Sequence, residues 1–493
     1  MKPQFESYRY VGERCFAHSQ SIVECRLPGG EISSVLAVHA KAVPTECTCG
    51  DGEAQYSGKL FLTVVYEDAD RKICRIERGA EFFHKAENPA IVPACLAKCA
   101  LKAETVNYRR EGSGIYVSVV VGADVTVYGN KQLEYLSGGE DLIVKREPLT
   151  LVKKICVTGE TEGEDEFVSD CVGDILLHGE NALVHHVSIG AGKIEVDGEI
   201  SLNICVLKSD ESVCSYERIL PFRMQIPCDE AFGHITAGAR VSVKSSHLTA
   251  GTDEEKGVSK ILFTYTLTAD CFLYVKEEIL AALDAFSTSV ETCVKKEKDG
   301  GRYLMSQSKY TERISGTAVV SPEIDGEYSL QAAVLPRAEL TVKQGERGRE
   351  AEGAVFADLL LVGADGGHKN VELSLPFVFP IDGEGEITEA DCIVCGLNVR
   401  RKRNGETEVE AVLKMLVRNY ASCAWEYISA VEAGEEIKPN DCAFSVFLPV
   451  EGEDLWQVAK RLSCDVETLQ KSNPDLKFPV EKGKKIYVYR QIE

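Results

Sequence analysis

Alternating apolar residues occur three times in this 493-residue chain, each time beginning two residues after a glycine. The glycines are Gly58, Gly198 and Gly353, which gives a repeat of 140 to 155 residues. Side chains of a β-strand alternate between its two faces, so each run predicts a strand with one buried face. The residues on these predicted buried faces are Leu60, Leu62, Val64 and Tyr66, then Ile200, Leu202, Ile204 and Val206, then Val355, Ala357, Leu359 and Leu361.

Other apolar residues keep a similar spacing from these glycines. Aromatic residues follow the glycines by 24 positions, at Phe82, Phe222 and Phe377. Helical periodicity is rare before the last fifty residues, and the best candidate, segment 275–286, could equally form a strand and turn. We therefore predict a mainly β protein with three tandem β-rich domains, each a sandwich or an open barrel. The predicted domains cover residues 1–145, 146–285 and 286–435.

The segment 159–166 is strongly acidic and also contains two glycines and a threonine. Charged side chains normally stay in water, so this run predicts an exposed loop between strands. A calcium-binding loop needs its ligands in a set order that this segment lacks, and we expect no calcium site there.

Charge is distributed unevenly along the chain. The net charge is −23, yet residues 445–493 carry 8 basic and 8 acidic side chains, so the whole excess lies on the first 444 residues. Phosphate binding needs clustered lysines and arginines, so this composition argues against nucleic acid or an anionic membrane as a partner. With 44% hydrophobic residues, the chain has enough apolar side chains to fill several cores.

The sequence contains no apolar run that approaches the roughly 18–20 residues of a membrane span. Residues 1–6 lead into polar sequence rather than into the apolar core of a signal peptide. We therefore expect a cytoplasmic protein without a signal peptide and without direct membrane insertion.

Nineteen cysteines are scattered along the chain at irregular spacing. A chain of this size does not depend on disulfide bonds, so we expect most cysteines to be buried small hydrophobic residues in a reducing cell. On a strand, Cys47 and Cys49 would share one face, which suits core packing, and later oxidative cross-linking is the alternative. Three close pairs suggest zinc, but none has the additional ligands that a tetrahedral site requires, and we predict no metal site. These pairs are Cys47/Cys49, Cys95/Cys99 and Cys392/Cys395.

Several motifs typical of enzymes are missing from the sequence. The segment 190–193, Gly-Ala-Gly-Lys, lacks the upstream glycine and the following Ser or Thr of a phosphate-binding loop. Neighbouring residues of a regular strand point to opposite faces, so His185 and His186 cannot share one metal ion. We predict that the protein is not an enzyme and binds no cofactor.

The last fifty residues begin with a pattern that predicts a strand followed by a helix. Asp454 and Gln457 have the spacing of a capping box, in which each side chain bonds to the backbone of the other residue at a helix start. The helix is expected over residues 455–462, with an apolar face toward a core. The preceding strand is predicted to be half-buried through the alternating residues Phe444, Val446 and Leu448.

A second helix and a second strand are predicted after the first helix. Asp465 is placed to cap the helix through its carboxylate, and Asn473 and Pro474 would end it. Ile486 and Val488 alternate as the buried residues of the returning strand. The order of elements is therefore strand, helix, helix, strand.

This segment resembles a LysM domain, the small βααβ module that many proteins use to hold N-acetylglucosamine-containing glycans. The resemblance rests on residues 452–456, Gly-Glu-Asp-Leu-Trp, where the family usually has Gly-Asp-Thr-Leu-Trp, and on residues 473–476, Asn-Pro-Asp-Leu, in its second loop. It implies a LysM domain over residues 440–493 that holds its ligand with these two loops. The implied contact residues are Gly452, Glu453, Asp454, Leu455, Asn473, Pro474, Asp475 and Leu476.

Three tandem β domains followed by one LysM domain are similar to the SPOCS-domain spore coat morphogenetic proteins of spore-forming Clostridia. The resemblance implies a noncatalytic scaffold in the mother-cell cytoplasm, at the forespore surface, that links a SpoIVA-like basal coat ATPase to other spore coat proteins. The LysM domain would then dock a protein, which suits the loop carboxylates Glu453, Asp454 and Asp475. The alternatives are a binder of the N-acetylglucosamine glycan of peptidoglycan or cortex, and self-association of the repeats.

Overall fold

The computed structural model describes residues 1–28, 31–112, 114–232, 235–253, 257–321, 328–346, 348–402, 404–438, 443–481 and 483–489. The predicted domain boundary at residue 440 lies outside these described residues. Over the described part the chain is mainly β, as predicted, with two short helices near its C-terminus.

The first unit consists of β1 (Lys2–Pro28), β2 (Ile32–Cys49), β3 (Glu53–Asp68), β4 (Ile73–Glu87), β5 (Leu96–Glu111) and β6 (Gly114–Glu140). Its strands form two antiparallel sheets, in the orders β1-β6-β5 and β2-β3-β4. Strands β2 and β5 therefore lie at the edges of two different sheets.

The second unit has the same strand order. It consists of β7 (Ile143–Ser169), β8 (Gly173–Gly190), β9 (Lys193–Lys208), β10 (Val213–Pro227), β11 (Thr236–Asp253) and β12 (Val258–Phe286). Its sheets have the orders β7-β12-β11 and β8-β9-β10.

The third unit adds one short strand to this order. It consists of β13 (Val290–Thr317), β14 (Val319–Ser321), β15 (Ser329–Gly345), β16 (Gly348–Val362), β17 (His368–Ile381), β18 (Ile387–Arg401) and β19 (Thr407–Glu436). Its sheets are β13-β19-β18 and β14-β17-β16-β15. The C-terminal module follows, with β20 (Phe444–Phe447), α1 (Leu455–Arg461), α2 (Val466–Ser472) and β21 (Ile486–Tyr489).

The structure resolves two segments whose form was open or wrongly predicted. Segment 275–286 is the end of β12 rather than a helix. The prediction of a loop at 159–166 is wrong, because this segment lies within β7 and pairs with β12. Its even-numbered residues, four glutamates, are exposed, while the residues between them are half-buried. The acidic run is therefore the water-facing side of a strand.

The core of each unit is built on the repeated alternating residues. All twelve of the residues predicted to face inward are buried. Each repeated glycine lies directly opposite the repeated aromatic residue on the next strand. A Cβ at Gly198 would lie 2.4 Å from Phe222 Cζ, so only glycine leaves room for the ring across the strand pair. The three pairs are Gly58/Phe82, Gly198/Phe222 and Gly353/Phe377.

The three units meet at equivalent positions of their central strands. Seven residues after each repeated glycine, Val65, Cys205 and Leu360 are buried and belong to one apolar cluster. Leu36 of the first unit and Val334 of the third unit pack in the same cluster. Each unit contacts the other two. The alternating pattern predicts that one face of each central strand is exposed to water. The contact between the units buries part of that face.

A second contact between the units lies farther along the long strands. Tyr10 of β1, Leu151 of β7 and Trp425 of β19 are buried in one cluster. The three residues come from three different units, so the ends of the long strands pack together beyond the core of each unit. Buried apolar clusters thus join the units at more than one place along their strands.

Candidate functional site

The C-terminal module has the element order that its sequence predicts. Asp454 accepts a hydrogen bond from Gln457 N at 2.7 Å, and Gln457 Oε1 accepts one from Asp454 N at 2.9 Å, which completes the capping box of α1. Asp465 caps α2 by accepting from Thr468 N at 2.9 Å. Both helices end within two residues of their predicted positions. The module core contains the buried residues Val458, Ala459, Leu469, Val480, Ile486 and Val488, together with Phe286 of the second unit.

Backbone hydrogen bonds hold the first predicted binding loop, residues 452–455, against Val480, which follows the second predicted loop, residues 473–476. Gly452 N donates to Val480 O, and Val480 N donates to Glu453 O, both at 2.9 Å. At the outer end of the second loop, Pro474 and Asp475 are exposed. These two residues and Gly452 are the freely accessible part of the predicted contact set.

Most side chains of the predicted contact set have structural partners within the module. Glu453 forms an ion pair with Arg461 at 2.6 Å, and Asp454 is the helix cap. Asn473 is buried and bridges to β21, donating to Tyr487 O and accepting from Tyr487 N, both at 2.7 Å. Leu455 and Leu476 pack against the module core. These side chains hold the two loops in shape.

The strand β20 presents the opposite face to the one predicted. Phe444, Val446 and Leu448 were expected to be half-buried toward the core, but it is Phe447 that packs on the module core. The sequence contains apolar residues in both phases of the strand, so alternation did not determine which phase faces the helices. Both helices cover the same side of the two-stranded sheet, and the other side faces solvent.

The side of the sheet that the helices leave uncovered forms an apolar surface, here named the exposed sheet face. Its four residues are between 41% and 58% exposed. The ring centroid of Phe444 lies 5.9 Å from that of Tyr487 and 5.2 Å from that of Tyr489. Exposure of the two tyrosines follows from the sequence alternation that buries Ile486 and Val488. The exposed sheet face consists of Phe444, Val446, Tyr487 and Tyr489, and the exposed Leu448 and Val450 follow β20 in the chain.

The module is attached to the second unit through the end of β12. Asp284 accepts hydrogen bonds from Trp456 Nε1 at 2.7 Å and from Lys460 Nζ at 2.5 Å. The ring of Trp456 also packs edge-to-face on Phe286, with centroids 5.0 Å apart. Trp456 therefore connects two parts of the chain rather than filling only the core of the module. No motif in the sequence marks Asp284 for this role.

The charge on Asp284 depends on these contacts. Partial burial acts to raise the pKa of its carboxyl group, but the hydrogen bonds from Lys460 and Trp456 outweigh burial and hold the pKa below its ordinary value. A carboxyl group with a lowered pKa contributes stability above its unfolded pKa, and the contribution is lost as the pH falls through the lowered value. The attachment is therefore complete at neutral pH and weakens in strong acid.

Replacing Asp284 by alanine is expected to loosen the module, because Trp456 and Lys460 then lose a shared charged acceptor. The expected loss is about 1–3 kcal/mol of docking free energy. The chain has two tryptophans, so a Trp425→Phe background leaves Trp456 as the reporter. The fluorescence of Trp456 should shift to longer wavelength in the Asp284→Ala variant as the ring becomes more hydrated. Asp475→Ala, on the exposed loop, is the control and should leave the emission unchanged; an identical spectrum for Asp284→Ala would contradict the attachment.

The two adjacent histidines have different surroundings, at a point where the pairing register of β8 shifts between Val184 and His186. His185 is half-buried, with Nε2 3.4 Å from Glu199 Oε1, while His186 is exposed. Burial lowers the pKa of His185 against the attraction of Glu199. Over the described ranges, no three His, Cys, Asp or Glu side chains converge in a way that could hold a metal ion.

Comparison of the chain with protein-family models, with curated proteins and with solved structures finds no match. Of the helices in the described part of the chain, none is long and apolar enough to cross a membrane.

Proposed function

We propose that this chain is a noncatalytic spore coat assembly scaffold, similar to SipL, in which three SPOCS-like domains carry a LysM-like docking module. The scaffold links a SpoIVA-like basal coat ATPase to other coat components, in the mother-cell cytoplasm at the forespore surface. The observation that carries the proposal is the exposed sheet face of the C-terminal module. The order of domains inferred from the sequence supplies the biological setting.

An exposed cluster of aromatic and aliphatic side chains is characteristic of a protein-binding surface. Phe444, Tyr487 and Tyr489 offer large rings whose burial in a partner groove would contribute most of the binding free energy. The module has no net charge over residues 445–493, whereas the remainder carries the full −23. A neutral apolar surface on an acidic body can approach an acidic or neutral partner without the repulsion that the body itself would cause.

The attachment of the module also supports a docking role. The bonds from Trp456 and Lys460 to Asp284 hold α1 against the second unit. The exposed sheet face lies on the side of the sheet away from the helices and is accessible in this arrangement. A partner bound there would therefore be held in a fixed position relative to the three packed units.

A glycan ligand is the second candidate, because the same aromatic rings could stack on the apolar face of a sugar. The loop residues Gly452, Pro474 and Asp475 would then be the first contacts expected for a LysM domain. The two candidates predict different ligands for one module and can be separated directly.

Replacing both Phe444 and Tyr489 by serine is expected to weaken binding of the full-length chain to the basal coat ATPase by at least about 100-fold. The physical reason is the loss of two large apolar contacts that lie on the surface and do not support the core. Affinity would be measured by titrating the purified ATPase and, separately, N-acetylglucosamine oligomers. Phe83, which is 79% exposed in the first unit, provides the matched control, and Phe83→Ser should bind normally.

Two further results distinguish the candidates. Asp475→Ala should reduce ATPase affinity if the second loop borders the docking surface, and unchanged affinity would remove the loops from the proposed site. Micromolar affinity for the N-acetylglucosamine oligomers, with no binding of the ATPase, would contradict the scaffold proposal and support glycan binding.

A further inference from the structure

Strands β7 and β13 occupy the same position in the second and third units, at one edge of a three-stranded sheet. Within the described part of the chain, β7 pairs with β12 alone and β13 pairs with β19 alone. The outer side of an edge strand keeps unpaired N–H and C=O groups, which can pair with a strand of another chain. The two strands therefore offer contact sites on two different units.

The exposed side of β7 is acidic over residues 160–166, here named the acidic edge. Glu160, Glu162, Glu164 and Glu166 occupy every second position and are all exposed. Glu160 forms an ion pair with Lys244 at 2.6 Å, whereas the other three form no ion pair with any described residue. Neighbouring side chains on one face of a strand lie about 7 Å apart, so these charges repel one another. A cationic strand placed beside them would relieve this repulsion.

The exposed side of β13 carries the opposite charge over residues 309–315, here named the basic edge. Lys309 and Arg313 alternate with Thr311 and Ser315, and all four side chains are exposed. Over the described ranges, neither Lys309 nor Arg313 forms an ion pair or donates a hydrogen bond. The two cations are therefore available to a partner outside the chain.

The spacing of charges on the two edges matches when the strands run antiparallel. With the basic edge of one copy beside the acidic edge of another, Glu162 can lie opposite Arg313 while Glu166 lies opposite Lys309. Opposite charges that face each other directly across a strand pair stabilise the pairing. A parallel arrangement would instead use Glu160, which already has a partner within its own chain. The antiparallel register thus pairs the glutamates that are free with the cations that are free.

We propose that copies of this chain associate head to tail, with the acidic edge of one copy added as a strand to the basic edge of the next. Because the two edges lie on different units, each copy in such a contact keeps one edge for a further copy, and the assembly can grow. Two acidic edges, or two basic edges, would place like charges opposite each other, which disfavours the wrong pairing. The contact uses the second and third units and does not depend on what the C-terminal module binds.

Reversing the charge of either edge is expected to prevent this association. Glu162→Lys/Glu166→Lys makes both edges basic, and Lys309→Glu/Arg313→Glu makes both acidic. Each double variant of the full-length chain should lower the association constant at least about 10-fold, because like charges then face each other. Sedimentation velocity over a range of concentrations would measure the change. All four replaced side chains are exposed, so both variants should keep the melting temperature of the parent.

An equimolar mixture of the two double variants separates this pairing from a general effect of charge. Each variant then meets edges of the opposite sign, and association should return to the level of the parent. Glu278→Lys/Glu432→Lys, which changes two exposed glutamates outside both edges, is the control for net charge and should associate as the parent does.

Three results would overturn the proposal. The first is a parent chain that stays monomeric at every concentration, and the second is a mixture of variants that does not recover association. The third is association that survives both charge reversals and is lost in Phe444→Ser/Tyr489→Ser, because the contact between copies would then lie on the exposed sheet face.

Discussion

Replacing Gly198 by alanine is expected to destabilise the second unit by about 3 kcal/mol, although only one methyl group is added. The new Cβ would lie 2.3 Å from the carbonyl oxygen of Leu183 and 2.4 Å from Phe222 Cζ. Leu183 is paired in the sheet and Phe222 is buried, so neither can move away without breaking strand pairing or core packing. Urea denaturation should show the loss, and hydrogen exchange should locate it in β8, β9 and β10.

A matched glycine in the same unit separates this clash from the general effect of adding a methyl group. Gly251 on β11 has no atom within 4 Å of an added Cβ, and Gly251→Ala should change stability by less than about 0.5 kcal/mol. Equal losses of stability for Gly198→Ala and Gly251→Ala would show that the close packing of Phe222 does not explain why position 198 needs glycine. Gly58, opposite Phe82, should behave like Gly198.

Removing the ammonium group of Lys41 is expected to have a comparable effect on the packing of the first unit against the second. The carboxylate of Glu180 on β8 is 2% exposed and forms an ion pair with Lys41 of β2, while Ser246 Oγ donates to it at 2.8 Å. Burial acts to raise the pKa of Glu180, but the charge of Lys41, with further contributions from His178 and His39, outweighs burial and keeps the pKa below its ordinary value. In Lys41→Met the carboxylate stays buried without its cation, which costs about 3–5 kcal/mol.

The pH dependence of this loss identifies its cause. In the unaltered chain, the lowered pKa of Glu180 gives stability that is present above the ordinary carboxyl pKa and is lost as the pH falls through the lowered value. Without Lys41, burial raises the pKa, so protonation relieves the penalty and the variant should approach the parent near pH 5. Lys402→Met, which removes an exposed partner of Glu406, should cost less than about 1 kcal/mol at either pH. A Lys41→Met penalty that is the same at pH 5 and pH 8 would contradict the buried-charge account.

The neighbouring histidines do not take over the role of Lys41. His178 has Nε2 3.7 Å from Glu180 Oε2, but burial lowers the pKa of its ring. Burial lowers the pKa of His39 to about 4, so its ring is neutral at pH 7. A double variant, Lys41→Met with Glu180→Leu, should recover most of the lost stability, because an apolar pair of similar volume leaves no unpaired charge. Thermal denaturation of the single and double variants would measure this recovery.

The repeated strands were predictable from sequence because they obey a local rule. Residues two, four, six and eight positions after each repeated glycine face the core of their own unit, and alternation is sufficient to find them. The contact between units at Val65, Cys205 and Leu360 was not predictable, because it buries the other face of the same strands. A residue's own strand pattern does not tell which distant strand will cover it.

In the C-terminal module, too, the sequence predicted the local features but not the contacts between distant residues. Its helix caps at Asp454 and Asp465 depend on residues within three positions of each other, so the sequence was sufficient. Which phase of β20 faces the core depends on where the helices pack, and the sequence was ambiguous because Phe444 and Phe447 are both apolar. The acidic run at 159–166 was wrongly predicted to be a loop. Its glutamates occupy every second position, a pattern that also fits a strand with one face in water.

The sequence by itself determined that the chain is mainly β, where the inward-facing strands of each unit lie, and how the two C-terminal helices begin. These features depend on alternation, capping and spacing, which act over a few neighbouring residues. Only the tertiary structure decided that the three units pack around equivalent positions, that Asp284 holds the module through Trp456, and that Phe444 and Tyr489 face solvent. Those features depend on residues far apart in the chain, and their positions are fixed only when the strands and helices pack together.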